Sequence, residues 1–102
     1  MKSENFKLCL YVAGNTRKSS TAISNLEKYC EEYLKGAYTI EVIDLLTQPH
    51  LAEGEQIIAT PTLIKKLPSP VRVLVGDLSK EHEFLVGMNL VPLTDGFDEI
   101  SS

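Results

Sequence analysis

The sequence predicts an α/β domain of element order βαβαββα. Three observations carry that prediction. An apolar strand, an amphipathic helix and a second strand follow one another across residues 6–45. A proline-led strand then begins at Thr62, and its neighbour follows after the short linker Pro68-Ser69-Pro70. A last helical stretch closes the pattern before the chain turns polar after Pro92.

Each element has its own warrant. In Phe6–Ala13, Phe6, Leu8, Leu10 and Val12 line one face and Lys7, Cys9, Tyr11 and Ala13 the other. Both faces are largely apolar, as in a strand covered on two sides. Gly14-Asn15 ends it with turn chemistry. From Lys18 to Lys35, Ala22, Ile23, Leu26, Tyr29, Cys30, Tyr33 and Leu34 form one helical stripe, with Gly36 at the C′ position. Tyr38–Leu45 is a second strand, and the βαβ unit so formed is right-handed and parallel. Thr47 is a candidate cap for a short helix with Pro49 in its first turn, interrupted at Gly54. Thr62–Leu67 and Val71–Val75 read as an antiparallel hairpin. Gly76-Asp77-Leu78-Ser79 is a turn ending in a cap, and Lys80–Asn89 the last helix, presenting Phe84, Leu85 and Met88. The whole, residues 1–102, is expected to be a single domain with a flexible acidic tail at about 93–102. This order is the thioredoxin-like arrangement, an α/β class.

Composition narrows the function. Net charge is −4 and the isoelectric point about 5.1, which argues against nucleic acid as a partner. No apolar run approaches the ~20 residues of a membrane span. The start, Met1–Phe6, lacks the apolar stretch of a signal peptide, so a cytoplasmic location is expected. Two cysteines, Cys9 and Cys30, form no Cys-x-x-Cys pair. Their spacing allows them to sit at one level of the fold, though two buried reduced thiols are the expectation.

The stretch Ala59-Thr60-Pro61-Thr62-Leu63 organises the second half. Proline lacks the N–H of a central ladder and suits the start of a strand, and Thr60-Pro61 is the candidate cis peptide. The stretch resembles the cis-proline turn of the thioredoxin superfamily; an ordinary proline-led edge strand is the plain alternative. Redox thioredoxins carry their thiols in the turn before the first helix, where the helix N-terminus favours thiolate. Here that turn reads Gly14-Asn15-Thr16-Arg17-Lys18-Ser19. His50 and His82 are isolated, with surface or capping roles expected, and Gly14 is a lone turn glycine rather than a phosphate loop. No catalytic residue, metal ligand or cofactor is predicted, and the chain reads as a binding protein. The competing readings are a thioredoxin-like redox protein using Cys9 and Cys30, and a thioredoxin-like adaptor.

Leu10-Tyr11-Val12-Ala13-Gly14-Asn15-Thr16, Val42-Ile43-Asp44, Leu51-Ala52-Glu53, Ala59–Leu63 and Pro70-Val71-Arg72 with Gly76–Ser79 together resemble the KaiB family of bacterial clock proteins. The resemblance implies a non-catalytic partner of the hexameric ATPase KaiC. It also implies two arrangements of the C-terminal half: a self-associated ground state of order βαββααβ (dimer or tetramer) and a thioredoxin-like monomer that docks on KaiC. Two such packings must lie within a few kcal/mol of one another. Gln56, Gly87 and Asn89 are the positions assigned to KaiC contact or fold switching. Glycine costs roughly 1 kcal/mol relative to alanine inside a helix, so Gly87→Ala is expected to favour the last helix. The chain also departs from the family pattern. Asn89 replaces a carboxylate, a basic residue is replaced near Thr21, Thr39 and Glu41 stand where Ala and Lys are usual, and Val73 replaces a second arginine. Thr39 and Glu41 lie on the second strand, the edge that the family uses toward KaiA. Lost positive charge there argues against KaiA and for KaiC alone, in a circadian, timing or stress-adaptation system.

Overall fold

The computed structural model describes residues 5–55 and 57–90; Gln56 and the tail expected at 93–102 lie outside them. Four strands and two α-helices follow the expected order: β1 (Phe6–Val12), α1 (Arg17–Tyr33), β2 (Tyr38–Asp44), β3 (Thr62–Leu67), β4 (Arg72–Val75) and α2 (Glu81–Gly87). The second helix of the expected order is a single 3₁₀ turn, Pro49–Ala52. The strands form one sheet in the order β2-β1-β3-β4. β1 is central, parallel to β2 and antiparallel to β3, and β3 and β4 form the antiparallel hairpin.

Alternation along β1 divides the interior in two. Leu8, Leu10 and Val12 face α1 and α2, where they meet Ala22, Leu26, Tyr29, Leu63, Phe84 and Met88. Cys9 and Tyr11 face the other way, with Ile43 and Ile64, under Leu45, Leu51 and Ile57. The expectation of a strand covered on both sides holds, since Leu8 to Val12 are all buried. The two cysteines lie on opposite faces of the sheet. Cys9 belongs to the cluster behind the sheet and Cys30 to the helix side, and both are free.

Several local details differ from the pattern reading. Thr16 caps α1, its Oγ1 accepting the Ser19 N–H at 3.0 Å. The helix ends three residues ahead of Gly36, and both Lys35 and Gly36 take positive φ. Gln48, not Thr47, precedes the 3₁₀ turn, while Thr47 Oγ1 donates to the Asp44 carbonyl. Ser79 is not the cap of α2; Lys80 occupies that position, and the Ser79 N–H donates to Asp77 Oδ1 at 3.0 Å. The ladder between β1 and β3 shifts between Lys7 and Leu8, so Lys66 has no opposite residue. This bulge sends Lys66 Nζ to Glu55 at 2.5 Å.

Two α1 side chains hold the turn that leads into α2. Tyr29 donates its buried hydroxyl to the Leu78 carbonyl at 2.7 Å, and Asn25 Nδ2 donates to the Asp77 carbonyl at 2.9 Å. The Tyr29 ring also packs on Phe84, with centroids 4.7 Å apart. Removing the hydroxyl leaves a buried carbonyl without that donor, a loss of about 1–3 kcal/mol. Tyr29→Phe is therefore expected to lower stability by about that amount in urea unfolding, read as a lower midpoint with an unchanged slope.

Candidate functional site

Two segments flank the end of β1: the turn into α1 and the start of β3. Both segments are well defined here. Gly14 has φ +83° and donates its N–H to Asp44 Oδ1 at 2.9 Å, and the same oxygen accepts the Leu46 N–H at 3.0 Å. A Cβ at Gly14 would lie 2.9 Å from Leu46 Cδ1, the end of an exposed side chain that can move aside, so it is the positive φ that favours glycine here. Asp44 thus ties the turn before α1 to the end of β2. On the other side, Thr60–Pro61 is cis, as expected. Pro61 is buried, its carbonyl accepts the Gly76 N–H at 2.9 Å, and Thr62 Oγ1 donates to the Ala59 carbonyl. Leu67–Pro68 and Ser69–Pro70 are also cis.

No thiol stands at this end. Cys9 is buried mid-strand, where loss of water raises its pKa, offset in part by Lys66. Burial, with Glu31 and Glu27 beside it, pushes the Cys30 thiol from 9.0 up to about 12. Both therefore stay protonated at neutral pH, and neither has the electropositive, open surroundings of an exchange nucleophile. His50 and His82 are exposed. Behind the sheet, a cleft of about 360 Å³ is lined by Lys7, Cys9, Tyr11, Glu41, His50 and Lys66 among others. Among the described residues, no group of three or more His, Cys, Asp or Glu side chains could hold a metal ion.

The sequence-selected positions fall on separate surfaces. Thr39 and Glu41 are exposed on β2, one edge of the sheet, opposite Lys7 and Cys9 of β1. Gly87 ends α2 against Leu74 of β4, the far edge strand, and Asn89 follows it in an exposed position. Pro61 lies between them, at the start of β3.

Gly87 has a packing role that helix propensity overlooks. A Cβ there would sit 2.7 Å from Leu74 Cδ2 and 3.0 Å from Cγ. The expectation that alanine would favour this helix is corrected: Leu74 must move first. Asn89, at φ +65°, completes a Schellman ending. Its N–H donates to the Val86 carbonyl at 3.0 Å, and the Leu90 N–H donates to Leu85 at 2.8 Å. Asparagine tolerates this left-handed geometry better than most L residues.

Sequence reasoning missed Lys65, read only as a strand residue. Its side chain is 1% exposed, donates to the Pro68 carbonyl at 2.8 Å and lies 5.8 Å from the Phe6 ring centroid. The hydroxyl of Tyr29 was missed likewise, because its apolar spacing concealed its polar use.

Two measurements check this geometry. Gly87→Ala is expected to destabilise the fold by about 1–3 kcal/mol, whereas Asn89→Gly is neutral or slightly stabilising, both read from urea midpoints. Both thiols should resist a soluble disulfide reagent in native buffer and react once urea unfolds the chain. For Cys30 the folded pKa lies above the unfolded one. Its contribution is therefore complete below 9.0 and is lost as pH rises toward about 12, so stability should fall less over that range in Cys30→Ala than in the parent.

Comparison with known proteins places these features in a lineage. The solved N-terminal domain of Synechococcus elongatus SasA superposes with a TM-score of 0.67 at 22% identity, covering 84% of this chain and 88% of that one. That likeness concerns the fold. Sequence similarity is closer to the circadian clock oscillator protein KaiB of Prochlorococcus marinus subsp. pastoris, 50% identical over 94 residues, 92% of this chain and 83% of the relative. The circadian clock protein KaiB3 of a Synechocystis species is 46% identical over 85 residues, 83% of each chain. Residues 9–90 match the KaiB domain, from mid-β1 to the last residue of the Schellman ending, and the chain belongs to the KaiB family.

Proposed function

We propose that this chain is a non-catalytic regulatory protein that binds a KaiC-type hexameric ATPase in the cytoplasm, in a circadian or simpler timing or stress-adaptation system. Membership of the KaiB family is the observation that carries the reading. The turn Gly14–Arg17 supports it, since it keeps the thioredoxin-like geometry while offering no thiol. A chain built in this way acts through its surface. Gly87 and Asn89 are proposed to bear on KaiC docking or on exchange between two arrangements of the C-terminal half, and Gln56 is retained as a contact position. Exchange of this kind would have to break the Leu74–Gly87 packing and the Schellman ending of α2.

The β2 edge points away from KaiA. Exposed Glu41 and neutral Thr39 give that strand an acidic character, unsuited to a partner recruited through basic residues. A self-associated resting form, dimer or tetramer, remains part of the proposal.

Size-exclusion chromatography with light scattering, on the chain alone and with its cognate KaiC plus ATP, tests the reading. Co-elution with the hexamer is expected, unaffected by replacing both cysteines with serine. Absence of association in every nucleotide state contradicts KaiC binding and favours an adaptor with another partner. Insulin reduction that disappears in Cys9→Ser would instead establish the redox alternative.

A further inference from the structure

The cleft behind the sheet has a floor that is apolar except at one point. Cys9, Tyr11 and Ile43 form that floor and are buried, and Leu51 packs on them from the 3₁₀ turn. The exception is the Tyr11 hydroxyl. Tyr11 is 3% exposed, yet its oxygen makes no hydrogen bond among the described residues. No buried side-chain oxygen or nitrogen among those residues lacks a partner, so this oxygen is not sealed in and opens into the cleft. A phenol so placed holds both an acceptor and a donor toward a ligand.

The walls are fixed by bonds of their own. The Leu51 N–H donates to the Gln48 carbonyl at 3.1 Å, that of Glu53 to His50 at 3.2 Å and that of Glu55 to Ala52 at 3.1 Å. Lys66 closes the opposite side on Glu55, at 2.5 Å. The volume of about 360 Å³ is that of a small-molecule site, for which ~300–1,000 Å³ is usual. Charge on the rim is unbalanced. Lys66 and Glu55 form the one ion pair among the described residues, which leaves the exposed carboxylates of Glu41 and Glu53 against the single ammonium group of Lys7. The chain itself carries −4 with histidine neutral, so the local and the overall field both attract cations.

We propose that this cleft binds a small primary amine as its ammonium ion, with a short aliphatic body. The ammonium group donates to the Tyr11 oxygen and to Glu41, which lies opposite Cys9 in the β1–β2 ladder and so borders the same floor. The carbon chain rests on Cys9, Ile43 and Leu51. An ammonium ion has three donors and no acceptor, which suits an open phenol oxygen beside unpaired carboxylates. A carboxylate ligand is disfavoured, because Lys66 is already engaged by Glu55 and Glu41 and Glu53 would oppose it as like charges.

Amine binding of this kind does not depend on KaiC. Titration of the full chain with n-butylammonium chloride tests it, at constant ionic strength and about pH 7.5, where an imidazole is neutral. Amide NMR shifts should saturate and be confined to residues 7–11, 41–43 and 50–55. For so few heavy atoms a dissociation constant of roughly 1 mM is expected. Butyrate, with the same body and the opposite charge, should bind about tenfold more weakly. Tyr11→Phe should keep the parent's urea midpoint, since the hydroxyl has no partner to lose, and weaken the amine about tenfold. Glu41→Gln should weaken it about threefold. Glu27→Gln removes the same charge from α1, on the other face of the sheet, and should leave the affinity unchanged. Absence of saturation by about 50 mM, shifts centred outside the cleft, butyrate bound as tightly as the amine, or parental affinity in Tyr11→Phe would overturn the inference.

Discussion

The hydroxyl of Tyr29 on the Leu78 carbonyl is the contact on which the arrangement of the C-terminal half depends. β1, α1 and β2 form a βαβ unit that needs nothing from residues beyond it to set its hand. The hairpin and α2 are added to that unit in two ways: β3 pairs with β1, and α1 holds the 77–78 turn through Asn25 and Tyr29. Leu78 takes φ +64° there and is buried, a conformation that surrounding contacts must enforce. Once the turn is held, Phe84 stacks on Tyr29 and Met88 reaches the shared core. The position of α2 is thus determined from α1, not from its own seven residues, which are too few to be helical alone.

Much of this fold was legible because its elements are short and strongly punctuated. Strand limits agree with the pattern reading to within a residue, and β3 agrees at both ends. Thr60–Pro61 was legible from residue types alone. What was not legible depended on distant partners. Ser79 has the right chemistry for a cap, yet the Asp77 carboxylate takes its N–H, and the helix begins later. Gly87 resembled a weak point of a helix until Leu74 was seen against it. The Lys66 bulge and the burial of Lys65 have no local signature, since a Lys-Lys pair ordinarily signals a solvated edge.

The candidate site was legible in a different sense. That the turn before α1 carries no thiol was readable directly, whereas the burial that raises the pKa of both cysteines was not. The chosen surface positions scatter between the two edges of the sheet, which one-dimensional spacing could not reveal. That separation gives the protein two distinct edges. β2 is acidic and β4 apolar, so partners can be discriminated by charge on one side and by shape on the other.

The proposed binding to a KaiC-type ATPase would use the arrangement described here, with α2 held on β4 and α1. Hydrogen exchange of the ring-bound chain tests that most directly. Gly76, Met88 and Leu90 donate to Pro61, Phe84 and Leu85 in this arrangement. Slow exchange across residues 72–76 and 84–90 in the complex is the predicted result. Rapid exchange of those segments while β1 and α1 remain protected would show instead that binding uses another packing of the C-terminal half.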